Sequence, residues 1–298
     1  MMESAPNREK SLGGVLLGTA IGDAIGLPRE NMSARRAERM FGRPPLKHRF
    51  LFGWGMTSDD TEHACMVGQS LRKSGGDPSR FAWAMGWQLR WWLLGLPSGT
   101  GLATLKSCIR LWLGWPAGRS GVYSAGNGPA MRSALLGVHA GENVDLLCKL
   151  VAASTRLTHS DPRAYEGVLV VALAAALGSR RGPGGVQPNE VRSILLPHLQ
   201  QPDLRANVEQ ALAVVAAGLP AAAMPPQIII PQQGHPPFSM VSPESLAVVD
   251  RPQKAAPQQL RLFGRVDRVV LVPVLADQLV PPRVADDHLV DTTLQVAV

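Results

Sequence analysis

The residues Gly53-Trp54-Gly55-Met56-Thr57-Ser58-Asp59-Asp60-Thr61-Glu62-His63 gather hydroxyl and carboxylate oxygens immediately ahead of a run that reads as a helix. Hard cations prefer such donors. Mg²⁺ takes one or two carboxylates and keeps several waters, so adjacent Asp59 and Asp60 with the Ser58 hydroxyl would form one side of an oxygen-ligand site. The same letters also read as helix-start chemistry, because Asp59-x-x-Glu62 resembles a capping box and acids in a first turn favour the helix dipole. From these residues alone both readings stand.

A second chemical stretch is Ser124-Ala125-Gly126-Asn127-Gly128-Pro129-Ala130-Met131-Arg132. Glycines beside an asparagine let the backbone come close to a ligand, and Pro129 at a first helical position would put a helix N-terminus behind the turn. That is an anion seat, to which Arg132 could add a charge-assisted bond. Ordinary turn chemistry explains the same residues. Thr158-His159-Ser160-Asp161-Pro162 places a histidine in a connection, where it can face a cleft or merely be solvated, and Asp161 before Pro162 is a good N-cap.

Helices must hold these stretches. From Ser11 to Gly26, Gly14, Gly18, Gly22 and Gly26 recur every fourth residue, which predicts a bare strip for close helix approach. Asp23 lies beside that strip and Glu30 just past Pro28, each an ordinary surface acid or a group facing a site. A short helix and a loop with Pro44-Pro45 follow, then a helix over Thr61–Lys73 closed by Gly75-Gly76. Asp77-Pro78 opens the next one, whose Trp83, Trp87 and Trp91 share a face that reads as core or packing surface rather than a base-stacking platform. Further helices are expected over 102–113, 144–157 and 163–177, with one or two over 190–218. The result is an all-α bundle over residues 1–218. From residue 219 prolines and glutamines multiply, and residues 219–298 read as an irregular Pro/Gln-rich tail with at most short strands near 269–275 and 290–298.

Composition bounds the partners. With 298 residues and 45% hydrophobic side chains the chain can bury a sizeable core. The net charge of +7 favours anionic ligands, yet the Lys and Arg are scattered in sequence, which predicts a polyanionic small molecule and no specific nucleic-acid binding. Cys65, Cys108 and Cys148 are odd in number and lack metal-ligand spacing, so they read as reduced core thiols of a cytoplasmic protein. Asp23 interrupts the apolar segment 12–27 and other apolar runs are short, so neither a signal peptide nor a membrane span is expected.

Taken in order, Gly18-Thr19-Ala20-Ile21-Gly22-Asp23-Ala24-Ile25-Gly26, Ser58-Asp59-Asp60-Thr61-Glu62, Gly126-Asn127-Gly128-Pro129-Ala130-Met131-Arg132 and Leu157-Thr158-His159-Ser160-Asp161-Pro162 closely resemble the ADP-ribosylglycohydrolase family, which includes the dinitrogenase reductase-activating glycohydrolases. The resemblance covers roughly residues 10–218. It implies an all-α enzyme with two Mg²⁺ or Mn²⁺ ions that hydrolyses the bond joining ADP-ribose to a protein side chain or a small molecule. It further implies that Ser58, Asp59 and Asp60 are metal ligands and that Glu30, with Asp59 and Asp60, serves catalysis. Gly126, Asn127, Gly128 and Met131 would hold the ADP-ribose, with His159 near its ribose.

Two departures stand beside the likeness. The family draws its remaining metal ligands from a C-terminal Gly-Gly-Asp-x-Asp-Thr stretch, whereas here Asp286-Asp287-His288-Leu289-Val290-Asp291-Thr292 lacks the glycines and the spacing. Residues 96–105 also lack the acid that many bacterial members carry after the third helix, which weakens any inference of arginine-linked substrates. Two alternatives to the hydrolase therefore remain: an ADP-ribose-binding module without turnover, and a truncated or frame-shifted remnant lacking half of the metal site.

Overall fold

A computed structural model describes residues 5–30, 32–42, 46–50, 53–97, 100–181 and 185–219. The tail from 220 onward, with the short strands expected in it and Asp286, Asp287, Asp291 and Thr292, lies outside the described residues.

The described residues form an all-α bundle: α1 (Ala5–Gly26), α2 (Ala34–Phe41), α3 (Asp59–Ser74), α4 (Pro78–Leu94), α5 (Leu102–Trp112), α6 (Ala134–Ala140), α7 (Val144–Arg156), α8 (Pro162–Arg181), α9 (Pro188–Leu195) and α10 (Pro202–Ala216). Among the described residues the only β-type pairing is an isolated parallel bridge between Val122 and His159. α1, α3 and α6 pack on one another, α4 lies between α3 and α7, and α8 backs α6 and α7. Phe81, Met85 and Leu89 of α4, Leu147, Leu150 and Val151 of α7, and Val168, Leu169 and Ala172 of α8 fill the centre.

The ends of these helices follow their letters. Asp77 accepts from the backbone N–H of Arg80 at 2.7 Å, with Pro78 in the first turn of α4. Gly75 closes α3 in the left-handed conformation, which costs glycine least. Buried Glu166 of α8 accepts from the backbone N–H groups of Gln200 (3.1 Å) and Gln201 (2.9 Å), so it fixes the start of α10 from another helix. By length and composition the helical stretch Arg8–Arg29 is apolar enough to cross a membrane, and here α1 packs against α3 and α6.

Several expectations change on the folded chain. Gly22 is exposed, and a methyl at Gly22 or Gly26 would meet nothing within 4 Å, so the close approach expected along that half of the strip does not occur. The close crossing is elsewhere: a methyl on Gly137 of α6 would sit 1.9 Å from the backbone oxygen of Ala172 in α8. Backbone cannot yield as a side chain can, so Gly137→Ala is expected to destabilise the bundle by about 3 kcal/mol and lower its melting temperature by about 10 °C. Gly22→Ala, by contrast, should raise stability by up to about 1 kcal/mol, and thermal denaturation of the two variants checks the contrast. The Trp83, Trp87 and Trp91 stripe is exposed rather than core, because α4 turns Phe81, Met85 and Leu89 inward instead. Of the three cysteines, all free, only Cys108 is a buried core thiol; Cys65 is exposed and Cys148 half-buried.

Candidate active site

Asp23 sets the geometry at the start of α3. Its Oδ2 accepts from the backbone N–H of Ser58 at 2.7 Å, the backbone N–H of Thr61 at 3.2 Å and the Thr61 hydroxyl at 2.5 Å. Its Oδ1 accepts from the Ser58 hydroxyl at 2.7 Å. A carboxylate delivered by α1 thus occupies N–H groups that α3 cannot satisfy itself. Ser58 in turn caps α3, accepting from the backbone N–H of Asp60 at 3.4 Å. The cap reading and the ligand reading of this stretch are therefore compatible, since Asp23 and Ser58 fix the turn that presents Asp59 and Asp60. Asp23 is a buried positioning group and not a surface acid. Asp23→Asn puts an amide N–H₂ against donors, so it is expected to cost about 2 kcal/mol, readable by urea denaturation.

The carboxylates of Asp59, Asp60 and Glu30 are electrostatically coupled to Asp23 and to one another. Burial, then Asp23, Asp59 and Glu30, push the Asp60 carboxyl up to about 7. Burial lifts Asp59 to about 6 against the pull of its own backbone N–H, with Asp23 and Glu62 adding to the rise. Glu30, which follows the 3₁₀ turn 27–29, is raised by burial, then by Asp59 and Asp23. Among the described residues no Lys or Arg lies within ion-pair distance of any of the three. Such a set of unpaired, mutually repelling oxygens suits a divalent cation, which would relieve the repulsion. The fit is to one side of a site: among the described residues no three His, Cys, Asp or Glu side chains are arranged to hold a metal.

The glycine loop is built on His159. Backbone N–H groups of Gly121 and Val122 donate to Arg156 and Thr158 (3.0 and 3.1 Å), and Ser160 donates back to Val122 at 2.9 Å. This short parallel contact lays 121–128 across the start of α8. A methyl on Gly126 would lie 3.0 Å from His159 Nε2, and one on Gly128 would lie 3.2 Å from His159 Cε1. At both positions glycine lets the loop lie closely on the imidazole, which a larger residue would have to displace by a few tenths of an ångström. His159 is 2% exposed, so it lies beneath the loop rather than open in a connection. Burial, then the Arg132 charge, lower its pKa to about 3, so it is neutral at physiological pH. Behind the loop stands a 3₁₀ turn, Ala130–Arg132, and not the α-helix N-terminus expected there, so any dipole offered to an anion is that of a single turn. Asn127 and Met131 are half-buried in this segment.

Arg132 does not reach a phosphate seat. It is fully buried and donates to the Ser154 hydroxyl (3.1 Å), the Ser154 carbonyl (2.9 Å), the Thr158 hydroxyl (2.9 Å) and His63 Nδ1 (2.9 Å). Guanidinium only donates, so His63 Nδ1 is the acceptor and the His63 proton sits on Nε2, which has no polar partner and faces Trp92, ring centroids 4.4 Å apart. The Thr158 hydroxyl, which accepts from Arg132, also shares a hydrogen bond with His159 Nδ1 at 2.9 Å, and His159 Nε2 lies beneath Gly126. The chain Arg132, Thr158, His159 therefore fixes how the glycine loop is supported. Through His63 it also ties the loop to α3, one turn beyond Asp59 and Asp60. The sequence marked Asp23 and Thr158 as members of motif stretches but not as the anchor of α3 and a partner of a buried cation, and Ser154 carried no signal, being an ordinary letter within a helix.

The model of the ADP-ribosylglycohydrolase family matches residues 4–249. An uncharacterized protein of Archaeoglobus fulgidus is 30% identical over 173 residues, which are 56% of this chain and 55% of that protein, so the chain spans about half the length of the curated relative it matches. A solved structure described as an ADP-ribosylglycohydrolase-related protein complex is 25% identical, with 71% of this chain and 75% of that one covered at a TM-score of 0.47.

Proposed function

We propose, because this chain belongs to the ADP-ribosylglycohydrolase family, that it hydrolyses the bond joining ADP-ribose to a protein side chain or small molecule, with Ser58, Asp59 and Asp60 supplying one face of a divalent-cation seat. The observation that carries this reading is the carboxylate cluster at the start of α3, raised by burial first and by neighbouring carboxylates second, and matched by no cation of the described chain. A bound Mg²⁺ or Mn²⁺ would orient ribose hydroxyls and lower the pKa of a water near the anomeric carbon. The chain's own part is to hold Asp59 and Asp60 in one orientation through Asp23 and Ser58, and to offer Glu30 as a carboxylate whose proton affinity burial, then Asp59 and Asp23, raise. Loss of the leaving group passes through an oxocarbenium-like state, which a cluster of carboxylates stabilises. The loop 126–128, with Met131 beside it, would take the diphosphate on backbone N–H groups while His159 and Arg132 keep it rigid.

A second ion would need ligands outside the described residues. The absence of a three-ligand group among the described ones favours, as a second reading, an ADP-ribose-binding module without turnover. One experiment separates them: release of ADP-ribose from an ADP-ribosylated substrate, run beside calorimetry of ADP-ribose in Mg²⁺ and in EDTA. Release that requires the divalent ion is expected. Binding that ignores EDTA, with no release, establishes the module instead.

A further inference from the structure

Between Asp77 and Glu142 the chain contains no acidic residue, and that acid-free span contains α4 and α5. Around α4, Arg80, Trp83, Trp87, Arg90, Trp91 and Leu94 fall within about 100° of one another, on the face turned away from Phe81, Met85 and Leu89. On α5 the outward positions are Leu102, Lys106, Ile109 and Leu113. The two faces join where Trp91 meets Trp112, ring centroids 5.7 Å apart. Trp83 and Trp91 are 66% and 62% exposed, Leu113 is 74% and Leu96, in the turn after α4, is 88% exposed. Leu94, Leu102, Ile109 and Trp112 are exposed beside them, a concentration of open apolar side chains of the kind that marks an interaction site. Cations that look scattered in the sequence are brought to this layer: Arg80 and Lys106 are exposed on the two helices and Arg90 and Arg110 lie over Trp87 and Trp115, with Asp77 at the cap of α4 the acid that borders the span.

We propose that the α4–α5 face is a docking surface for an anionic lipid bilayer, with the tryptophans and leucines in the interfacial region and the basic side chains on the headgroups. Charge selects an anionic occupant, because a second copy meeting this face through a two-fold axis would set Arg80, Arg90 and Lys106 against their own kind. Ring geometry argues against single-stranded nucleic acid. Base stacking needs open ring faces, whereas Arg90 covers Trp87 at 4.7 Å, Arg110 covers Trp115 at 4.9 Å, and Trp83 with Trp87 and Trp91 with Trp112 meet edge to face. The indole N–H groups of Trp83, Trp87, Trp91 and Trp115 have no hydrogen-bond partner among the described residues, and a headgroup layer supplies acceptors to such groups in any direction. A protein partner would instead have to present a separate pocket to each of Leu96 and Leu113, which touch little of their own chain.

The test is flotation of the full chain with vesicles of equimolar phosphatidylcholine and phosphatidylglycerol, followed by its tryptophan emission. Binding with a blue shift is expected, weakening about tenfold or more when the salt rises several-fold, and weakening similarly in Trp83→Ser/Trp91→Ser and in Arg80→Glu/Lys106→Glu. These positions are exposed, so unchanged circular dichroism of the variants shows that the fold survives. No flotation, or equal flotation with phosphatidylcholine alone, overturns the proposal. So does sedimentation showing a dimer that the tryptophan variant dissociates, or binding to single-stranded oligonucleotide that the same variants abolish without affecting vesicles.

Discussion

Asp59→Ala/Asp60→Ala is expected to lower divalent-dependent ADP-ribose release by at least about a hundredfold while making the metal-free fold more stable, not less. The two effects have one cause. Both carboxyls are raised above the ordinary 3.8, to about 6 and about 7, by burial first and then, among the neighbouring carboxylates, by Asp23, Glu30, Glu62 and each other. Between about pH 4 and 7 the native protein therefore holds protons that the unfolded chain has already released, so each step upward in pH costs the native state. Stability of the metal-free protein should fall by about 2 kcal/mol across that window from Asp60 alone, roughly half of what the displacement would give without partial hydration. Alanine at both positions removes the slope, and saturating Mg²⁺ or Mn²⁺ should flatten it in the parent protein by supplying the missing charge. Urea denaturation at pH 5 and pH 8, with and without the ion, measures this without any substrate. A parent protein whose stability is the same at both pH values would remove the cluster from consideration as a cation seat, whatever the turnover.

The helices were readable because their ends carry local chemistry. Asp77 and Pro78 start α4 where the letters place them, and Gly75 ends α3, since caps and left-handed turns act within four residues. What could not be read was which face each helix turns inward, because that is decided by partners distant in the chain. Trp83, Trp87 and Trp91 form as regular an apolar stripe as Phe81, Met85 and Leu89, yet α3 and α7 take the second set. The glycine strip of α1 is the same lesson in reverse. Its four-residue spacing is a local fact, but tightness depends on what arrives, and nothing arrives at Gly22 or Gly26 while α8 crosses tightly over Gly137. Within the site, Ser58, Asp59 and Asp60 were legible as a cluster and the 126–128 turn as a glycine seat. The dependence of the first on Asp23, 35 positions before Ser58, and of the second on Arg132, 26 positions before Thr158, was not.

Arg132 is where the largest structural effect is expected. The guanidinium is fully buried, no carboxylate of the described chain pairs with it, and burial lowers its pKa only to about 10, so it stays charged. Its charge is spread over four neutral acceptors on α3, α7 and the segment after α7, while burial and then this cation keep His63 and His159 neutral. Arg132→Met fits the volume but strands the Ser154 carbonyl, the Thr158 hydroxyl and His63 Nδ1 together, which should cost about 3 kcal/mol or more. A buried ion can sometimes be exchanged for an apolar side chain without loss, but only when its partners are exchanged as well. Three polar groups from two helices and a loop cannot all follow. The effect should also travel along the bonds: without the guanidinium, Thr158 loses one constraint and His159 a repelling charge, so the His159 imidazole should titrate nearer its ordinary value in the variant. Histidine NMR resonances followed against pH report this directly. A variant as stable as its parent, with His159 titrating unchanged, would mean that the glycine loop is held by the Val122 and His159 backbone contact alone.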